Sequence, residues 1–200
     1  ASFKHELLGE FHTQMTGEYN ILNCLSVIAM SHTLKWGQKK TEKAMQTFQG
    51  VKRRQEILGE PKGILVIEDF AHHPTAVKET IKGIKEKYKT RKIFAIFEPR
   101  SATSRRKVFQ KDYVQAFLAA DEILLMKAFD QTKIQEDDRF SSEELVRDIM
   151  SQGKAAAVFD SVDQIVNVLK TKSKKGDLIL IMSNGGFDGI YTKLLNKLEA

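Results

Sequence analysis

Two hundred residues with 42% hydrophobic and 29% charged side chains have the balance of a soluble globular protein, long enough for one ordinary domain or one domain plus part of another. The formal charge of +6 comes from lysines and arginines spread along the chain, the pattern of solvated helix faces; no aromatic-rich strand or recognition-helix signature accompanies it to suggest nucleic acid. No apolar run nears the ~20 residues of a membrane span, the opening ASFKHELLGEF lacks a signal-peptide pattern, and the lone Cys24 excludes an internal disulfide framework, so a cytoplasmic, reducing location is expected.

The segment before Val51 predicts helices and no strand. Ile21, Leu25, Ile28 and Leu34 follow helical spacing, Gly37 ends that helix, and Thr41 is placed to cap a shorter one running to Phe48. From Val51 the pattern changes. VKRRQEIL and ILVIEDF predict two strands joined by the turn Glu60-Pro61-Lys62-Gly63. A helix over 75–88 then carries Val77, Ile81, Ile84 and Tyr88 on one face, KIFAIF is strand 92–97, a helix covers 104–119, and EILLMK is strand 122–127. Ser141 or Ser142 caps the next helix, with Leu145, Val146 and Ile149 inward, and AAAVF is strand 155–159. Ser161 caps a helix bearing Val162, Ile165, Val166 and Leu169, LILIM is strand 178–182, and a last helix carries Ile190, Leu194 and Leu198. Short apolar strands alternating with amphipathic helices predict an α/β fold: a doubly wound sheet of about five parallel strands with right-handed crossovers and helices on both faces, preceded by one antiparallel strand.

Ligands of such a sheet bind beyond the carboxyl ends of the strands, which selects four segments. EDFAHHPT, 68–75, ends a strand and opens a helix with Pro74 in its first turn. Asp69 offers a carboxylate for ribose hydroxyls, and His72 and His73 lie where a helix dipole favours anions and a neutral imidazole; capping and packing of the turn is the plain alternative. Adjacent histidines seldom converge on one ion and no Cys/His cluster supports them, so no metal site is expected. EPRSATSRR, 98–106, crowds Glu98, Arg100, Arg105 and Arg106 into one loop, and arginine forks suit carboxylate or phosphate; a solvated charged loop is the alternative. MSNGGFDG, 182–189, offers Ser183 and Asn184 with glycines that permit close backbone approach. KAFDQTK, 127–133, is polar and long enough to reach over the site. Upstream, GVKRRQE, 50–56, places Arg53 and Arg54 near a junction, and TGEYNILN, 16–23, puts Asn20 and Asn23 on first helical turns, where one asparagine can read a base edge or merely cap the helix.

No phosphate-binding G-x-x-x-x-G-K-[ST], no G-x-G-x-x-G after a strand and no G-x-S-x-G elbow occurs. Taken in order, GEYNILN, GVKRRQE, DFAHHPT, EPRSATSRR and MSNGGF resemble the Mur ligase family across essentially the whole chain. The resemblance implies a helical end of the central ATPase domain at 1–53 and a Rossmann-like C-terminal domain at 54–200, with the sugar-binding domain and the phosphate loop outside these residues, so that the chain is not expected to catalyse by itself. It implies ATP and Mg²⁺ as cofactors, and amide formation through an acyl phosphate between UDP-N-acetylmuramate and an acceptor amine. EPRS, in place of a PHRY-type loop, implies a murein tripeptide as acceptor and a role in peptidoglycan recycling; L-alanine is the alternative acceptor. Asn23 matches the adenine contact, Arg54 the nucleotide-reaching arginine and Asp69 the ribose carboxylate. His73 and His72 match positions lining the incoming amine, and Arg100, Ser183 and Asn184 positions near the peptide carboxylates. Tyr19 stands where relatives carry histidine, and Ser101 and Ser104 stand where the alanine-adding ligases carry arginines, so neither role is carried over. A non-catalytic nucleotide- or anion-binding module is the rival from another class.

Overall fold

A computed structural model describes residues 1–15 and 17–200, and the chain divides into two compact units, Ala1–Val51 and Lys52–Ala200. In the first unit two short strands, β1 (Ser2–Phe3) and β2 (Glu6–Leu7), pair antiparallel, where none was expected from the sequence. Lys4 and His5 close that turn at φ 47 and 67, a conformation that helical periodicity does not reveal. Two helices follow, α1 (Glu18–Thr33) and α2 (Gln38–Thr47). Gly37, at φ 85, starts α2 rather than merely ending α1, so Thr41 lies inside α2 instead of capping it. Its hydroxyl donates to the Gly37 carbonyl at 3.2 Å and meets the Ser31 hydroxyl. Of the four apolar residues that define the α1 periodicity, Ile28 is buried while Ile21, Leu25 and Leu34 are exposed.

The second unit is the predicted α/β sheet. Its elements are β3 (Glu56–Gly59), β4 (Leu65–Asp69), α3 (Pro74–Lys87), β5 (Ile93–Phe97), α4 (Gln110–Phe117), β6 (Glu122–Met126), α5 (Ser142–Ser151), β7 (Ala155–Phe159), α6 (Val162–Lys172), β8 (Leu178–Met182) and α7 (Ile190–Glu199). The strand order is β3-β4-β8-β5-β6-β7, with β3 antiparallel to β4 and the other five parallel. Alternate strand residues face opposite sides, which makes two cores. Ile67, Ala95, Phe97 and Leu180 face α3, α4 and α5 through Ile81, Phe117 and Leu145. Val66, Phe94, Ile96 and Ile181 face α6 and α7 through Ile165, Ile190 and Leu194. Each of these side chains larger than alanine contributes roughly 1.5–3 kcal/mol by leaving water. The architecture is the doubly wound α/β sheet that the alternating pattern predicted, and it is Rossmann-like, as the resemblance implied.

Two segments differ from expectation. The strand predicted over 51–58 shrinks to Glu56–Gly59, because Arg53 and Gln55 adopt φ values of 60 and 53 that no strand accommodates. The helix predicted over 104–119 is a 3₁₀ turn at Lys107–Phe109 followed by α4, since Ser101 and Ser104 bond to each other and hold the preceding residues as a loop. Ser141 and Ser161 cap α5 and α6 as predicted, accepting from Glu144 N and Gln164 N. No helix among the described residues is long and apolar enough to cross a membrane. What positions the site is register: Asp69 of β4 and Phe97 of β5 both stand opposite Met182 of β8, so the three loops that follow leave the sheet side by side.

Candidate functional site at the carboxyl ends of three strands

Asp69 is buried, and both its oxygens are engaged. Oδ2 accepts from Gln55 N at 2.9 Å, and Oδ1 from Ala71 N at 2.8 Å and Thr80 Oγ1 at 3.4 Å. Burial pushes this carboxyl up from the ordinary carboxylate range, against the pull of the Ala71 and Gln55 N–H groups and the charge of Arg54. A carboxylate has about four acceptor positions, so Asp69 holds the turn together and has little capacity left for a ligand in this conformation. The turn it organises carries the two histidines. His72 Nδ1 lies 2.9 Å from the Phe70 carbonyl, which can only accept, so that nitrogen carries the proton and a neutral His72 keeps its lone pair on Nε2. His73 is the reverse. Its Nδ1 accepts from Thr75 N at 3.4 Å and caps α3, which leaves the proton on Nε2. Their rings pack edge-on against Phe70 and Phe109 respectively, and Tyr113 Oη donates to the His72 carbonyl at 2.5 Å. The capping alternative is therefore realised at His73, and the basic ring nitrogen left free is on His72.

The ends of β5 and β8 share one network. Ser183, fully buried, donates to Glu98 Oε2 at 2.6 Å and accepts from Gly185 N at 2.9 Å. Its hydroxyl is spent on shaping the loop and on fixing Glu98. Arg100 Nη1 donates to Glu98 Oε1 at 3.2 Å, and its guanidinium carbon lies 3.8 Å from the centre of the Phe129 ring. Its remaining N–H groups have no partner among the described residues. Gly185 is required here by close approach: a Cβ would overlap Cδ and Nε of Arg100. Asn184 Oδ1 is buried without a donor. Backbone bonds tie the two places together, from Ser183 N to the Asp69 carbonyl and from Glu98 N to the Met182 carbonyl, both at 3.2 Å.

Arg53, which the sequence offered only as a neighbour of Arg54, anchors the whole arrangement. Its Nε donates to Glu68 at 2.5 Å and its Nη2 to the carbonyls of Ser183 and Gly185 at 2.8 and 2.7 Å. Burial works against its charge, but the Glu68 carboxylate holds its affinity for protons above the ordinary value. Arg54 is exposed, with its guanidinium 5.2 Å from the Phe70 ring centre. Arg105 and Arg106 turn to other partners: Arg105 bonds the carbonyls of Ser101 and Asp130, and Arg106 pairs with Asp138. Asn23 lies exposed on α1, in the first unit. Thus Asp69, Arg100, Ser183 and Asn184 stand on adjacent strand ends with the histidines in the turn after Asp69, while Phe129 and Arg53 are the contributors that spacing did not single out. No group of three or more His, Cys, Asp or Glu that could hold a metal ion occurs among the described residues.

A mostly parallel sheet covered by helices on both faces is also the fold of solved Mur ligases. The chain belongs to the Mur ligase family: residues 53–185 match the family model of the Mur ligase, glutamate ligase domain. It is 34% identical over 202 residues to the UDP-N-acetylmuramate--L-alanyl-gamma-D-glutamyl-meso-2,6-diaminoheptandioate ligase of Haemophilus influenzae, covering 100% of this chain and 42% of that protein. It is 33% identical over 179 residues to the UDP-N-acetylmuramate--L-alanine ligase of Desulfitobacterium hafniense, covering 90% and 40%. Among solved structures, a murein peptide ligase from Psychrobacter arcticus superposes with a TM-score of 0.71 at 35% identity, covering 94% of this chain and 38% of that one. The chain thus spans about two fifths of the length of these relatives.

Proposed function

We propose that the protein carrying this chain is an ATP-dependent ligase that joins the amine of L-Ala-γ-D-Glu-meso-diaminopimelate to the muramoyl carboxylate of UDP-N-acetylmuramate in the cytoplasm. In this reading residues 54–200 are its C-terminal, acceptor-binding domain and residues 1–53 the helical end of its central ATPase domain. The carrying observation is Arg100: it leaves the carboxyl end of β5 against Gly185 with one N–H given to Glu98 and the rest without a partner among the described residues, whereas Arg105 turns to the carbonyls of Ser101 and Asp130 and Arg106 to Asp138. Ser101 and Ser104 are buried and bonded to each other at 2.8 Å, so neither presents a group beside Arg100. A tripeptide has carboxylates remote from its reacting amine, and a single guanidinium set back on the β5 end suits one of them.

The nucleotide fits this chain at Arg54, whose exposed guanidinium has no hydrogen-bond partner among the described residues, and more narrowly at Asp69. When bound, ATP supplies the phosphoryl group that activates the muramoyl carboxylate. The chain's own residues orient the acceptor through Arg100, with Glu98, Ser183 and Asn184 shaping the loop beside it. His72 Nε2, with its lone pair free, takes a proton from the incoming ammonium or amine. Covering these groups excludes water from an activated acyl group prone to hydrolysis. In this reading the magnesium ligands lie mostly in the part of the protein outside these residues.

Steady-state phosphate release by the full-length protein, with tripeptide or L-alanine as acceptor, tests the reading. The kcat/KM for the tripeptide should exceed that for L-alanine by on the order of 100-fold. The reverse preference, favoured by the relative from Desulfitobacterium, would make the protein an alanine-adding ligase. Absence of ATP-dependent turnover with either acceptor would return it to a binding module.

A further inference from the structure

We infer that Phe129, on the loop after β6, is a positioning residue for the acceptor: it holds the Arg100 guanidinium so that its unpartnered N–H groups take a carboxylate flanked by an aliphatic stretch. The inference rests on the acceptor-binding reading of Arg100 and names the residue that makes it work. Phe129 is 43% exposed, yet its loop is pinned on both sides. Phe129 N donates to the Pro99 carbonyl at 2.9 Å, Arg105 binds the carbonyl of Asp130, and Gln131 Nε2 reaches the carbonyls of Arg105 and Phe140 at 2.8 and 2.9 Å. Arg105 therefore helps to fix the segment that holds Arg100.

The ring lies on the guanidinium at 3.8 Å while Glu98 takes one N–H at 3.2 Å. A stacked and edge-bonded arginine has already given up most of its rotamer freedom, so a ligand carboxylate meets it without that ordering cost. Glu98 alone would leave a competing carboxylate as the only influence on Arg100. The aromatic face holds the cation by its quadrupole and does not occupy an N–H group. Its exposed part adjoins the charge and supplies apolar cover for the methylenes next to a bound carboxylate.

The test uses the full-length protein with Phe129→Leu and Phe129→Met, which keep apolar bulk without the ring, and Phe129→Tyr, which keeps the ring. The Leu and Met variants should raise KM for the tripeptide about fivefold, with kcat and the KM for ATP nearly unchanged, and Phe129→Tyr should restore wild-type behaviour. Wild type should also discriminate against a tripeptide whose terminal carboxylate is a carboxamide, and that discrimination should shrink by the same factor in the Leu variant. An unchanged tripeptide KM in well-folded Leu and Met variants, while Arg100→Ala raises it, overturns the role of Phe129 and leaves the acceptor reading standing. If Arg100→Ala is silent too, the acceptor reading itself falls.

Discussion

At the amino-end rim of the sheet, Asp121 and Glu122 are matched by lysines: Lys85 bonds Asp121 at 2.7 Å, and Lys92 and Lys172 bond Glu122 at 2.9 and 2.5 Å. At the carboxyl-end rim, Asp69 sits among backbone N–H groups, and its carboxyl is pushed up by burial. Burial acts on Asp121 and Glu122 too, but the lysine bonds prevail and hold both below the usual carboxylate range. One rim neutralises its charges with flexible partners in partial contact with water, an arrangement that closes the sheet and is worth little energetically. The other keeps a buried acid and an arginine with spare donors, held by Arg53, Ser183 and Phe129. An arginine left with spare donors, next to loops that are themselves well fixed, marks where a ligand completes the set.

The largest test of that contrast is Asp69→Ala. Two backbone donors, Gln55 N and Ala71 N, lose their acceptor in a buried turn, at a cost of about 2–4 kcal/mol, seen as a lowered thermal unfolding midpoint. In the full-length protein, nucleotide affinity should fall more than tripeptide affinity; unchanged nucleotide affinity would remove Asp69 from the ribose assignment and leave it as a turn-holding residue. A smaller effect is expected of Gly185→Ala. The new Cβ meets Cδ and Nε of Arg100, whose guanidinium Glu98 and Phe129 hold, so stability should drop by about 1–3 kcal/mol, the range for overpacking. The displaced guanidinium should raise the tripeptide KM with little change in the KM for ATP. If tripeptide binding is indifferent to this substitution, the acceptor does not read the position of Arg100.

The same contrast explains what could be read from the residues alone. Strands such as LILIM and KIFAIF announce themselves because sheet burial on both faces makes them continuously apolar, and the order of carboxyl-end loops follows from topology; so Asp69, Arg100 and Ser183 are found on one rim as expected. What spacing could not give is partnership. Phe129 reaches Arg100 across two loops, and Arg53 reaches Gly185 from more than a hundred positions away, contacts that no local period records. The tautomers of His72 and His73 likewise depend on which backbone group each ring meets. In the first unit, periodicity found α1 correctly but implied burial that Ile21, Leu25 and Leu34 do not show, because a repeat reports a face and not what covers it.

The smallest and most discriminating effect lies in the pH dependence. Asp121 has a lowered folded-state value, so the unfolded chain binds its proton more readily; the stability it contributes is complete above the ordinary carboxylate value near pH 4 and is lost as the pH falls through the lower folded value. Asp69 has a raised folded-state value, so its sign is opposite: the cost of its charge is present above that value and is relieved as the pH falls through it toward the ordinary one. Asp121→Asn should therefore cost less than about 1 kcal/mol at pH 7 and flatten the loss of stability below pH 4. Asp69→Asn should instead remove a gain that wild type shows between the raised value and about pH 4. Urea unfolding of this 200-residue chain across pH 3–7 reads both. Parallel changes in the two variants would mean that the rims treat their carboxylates alike, and the distinction between a closing rim and a binding rim would lose its electrostatic basis.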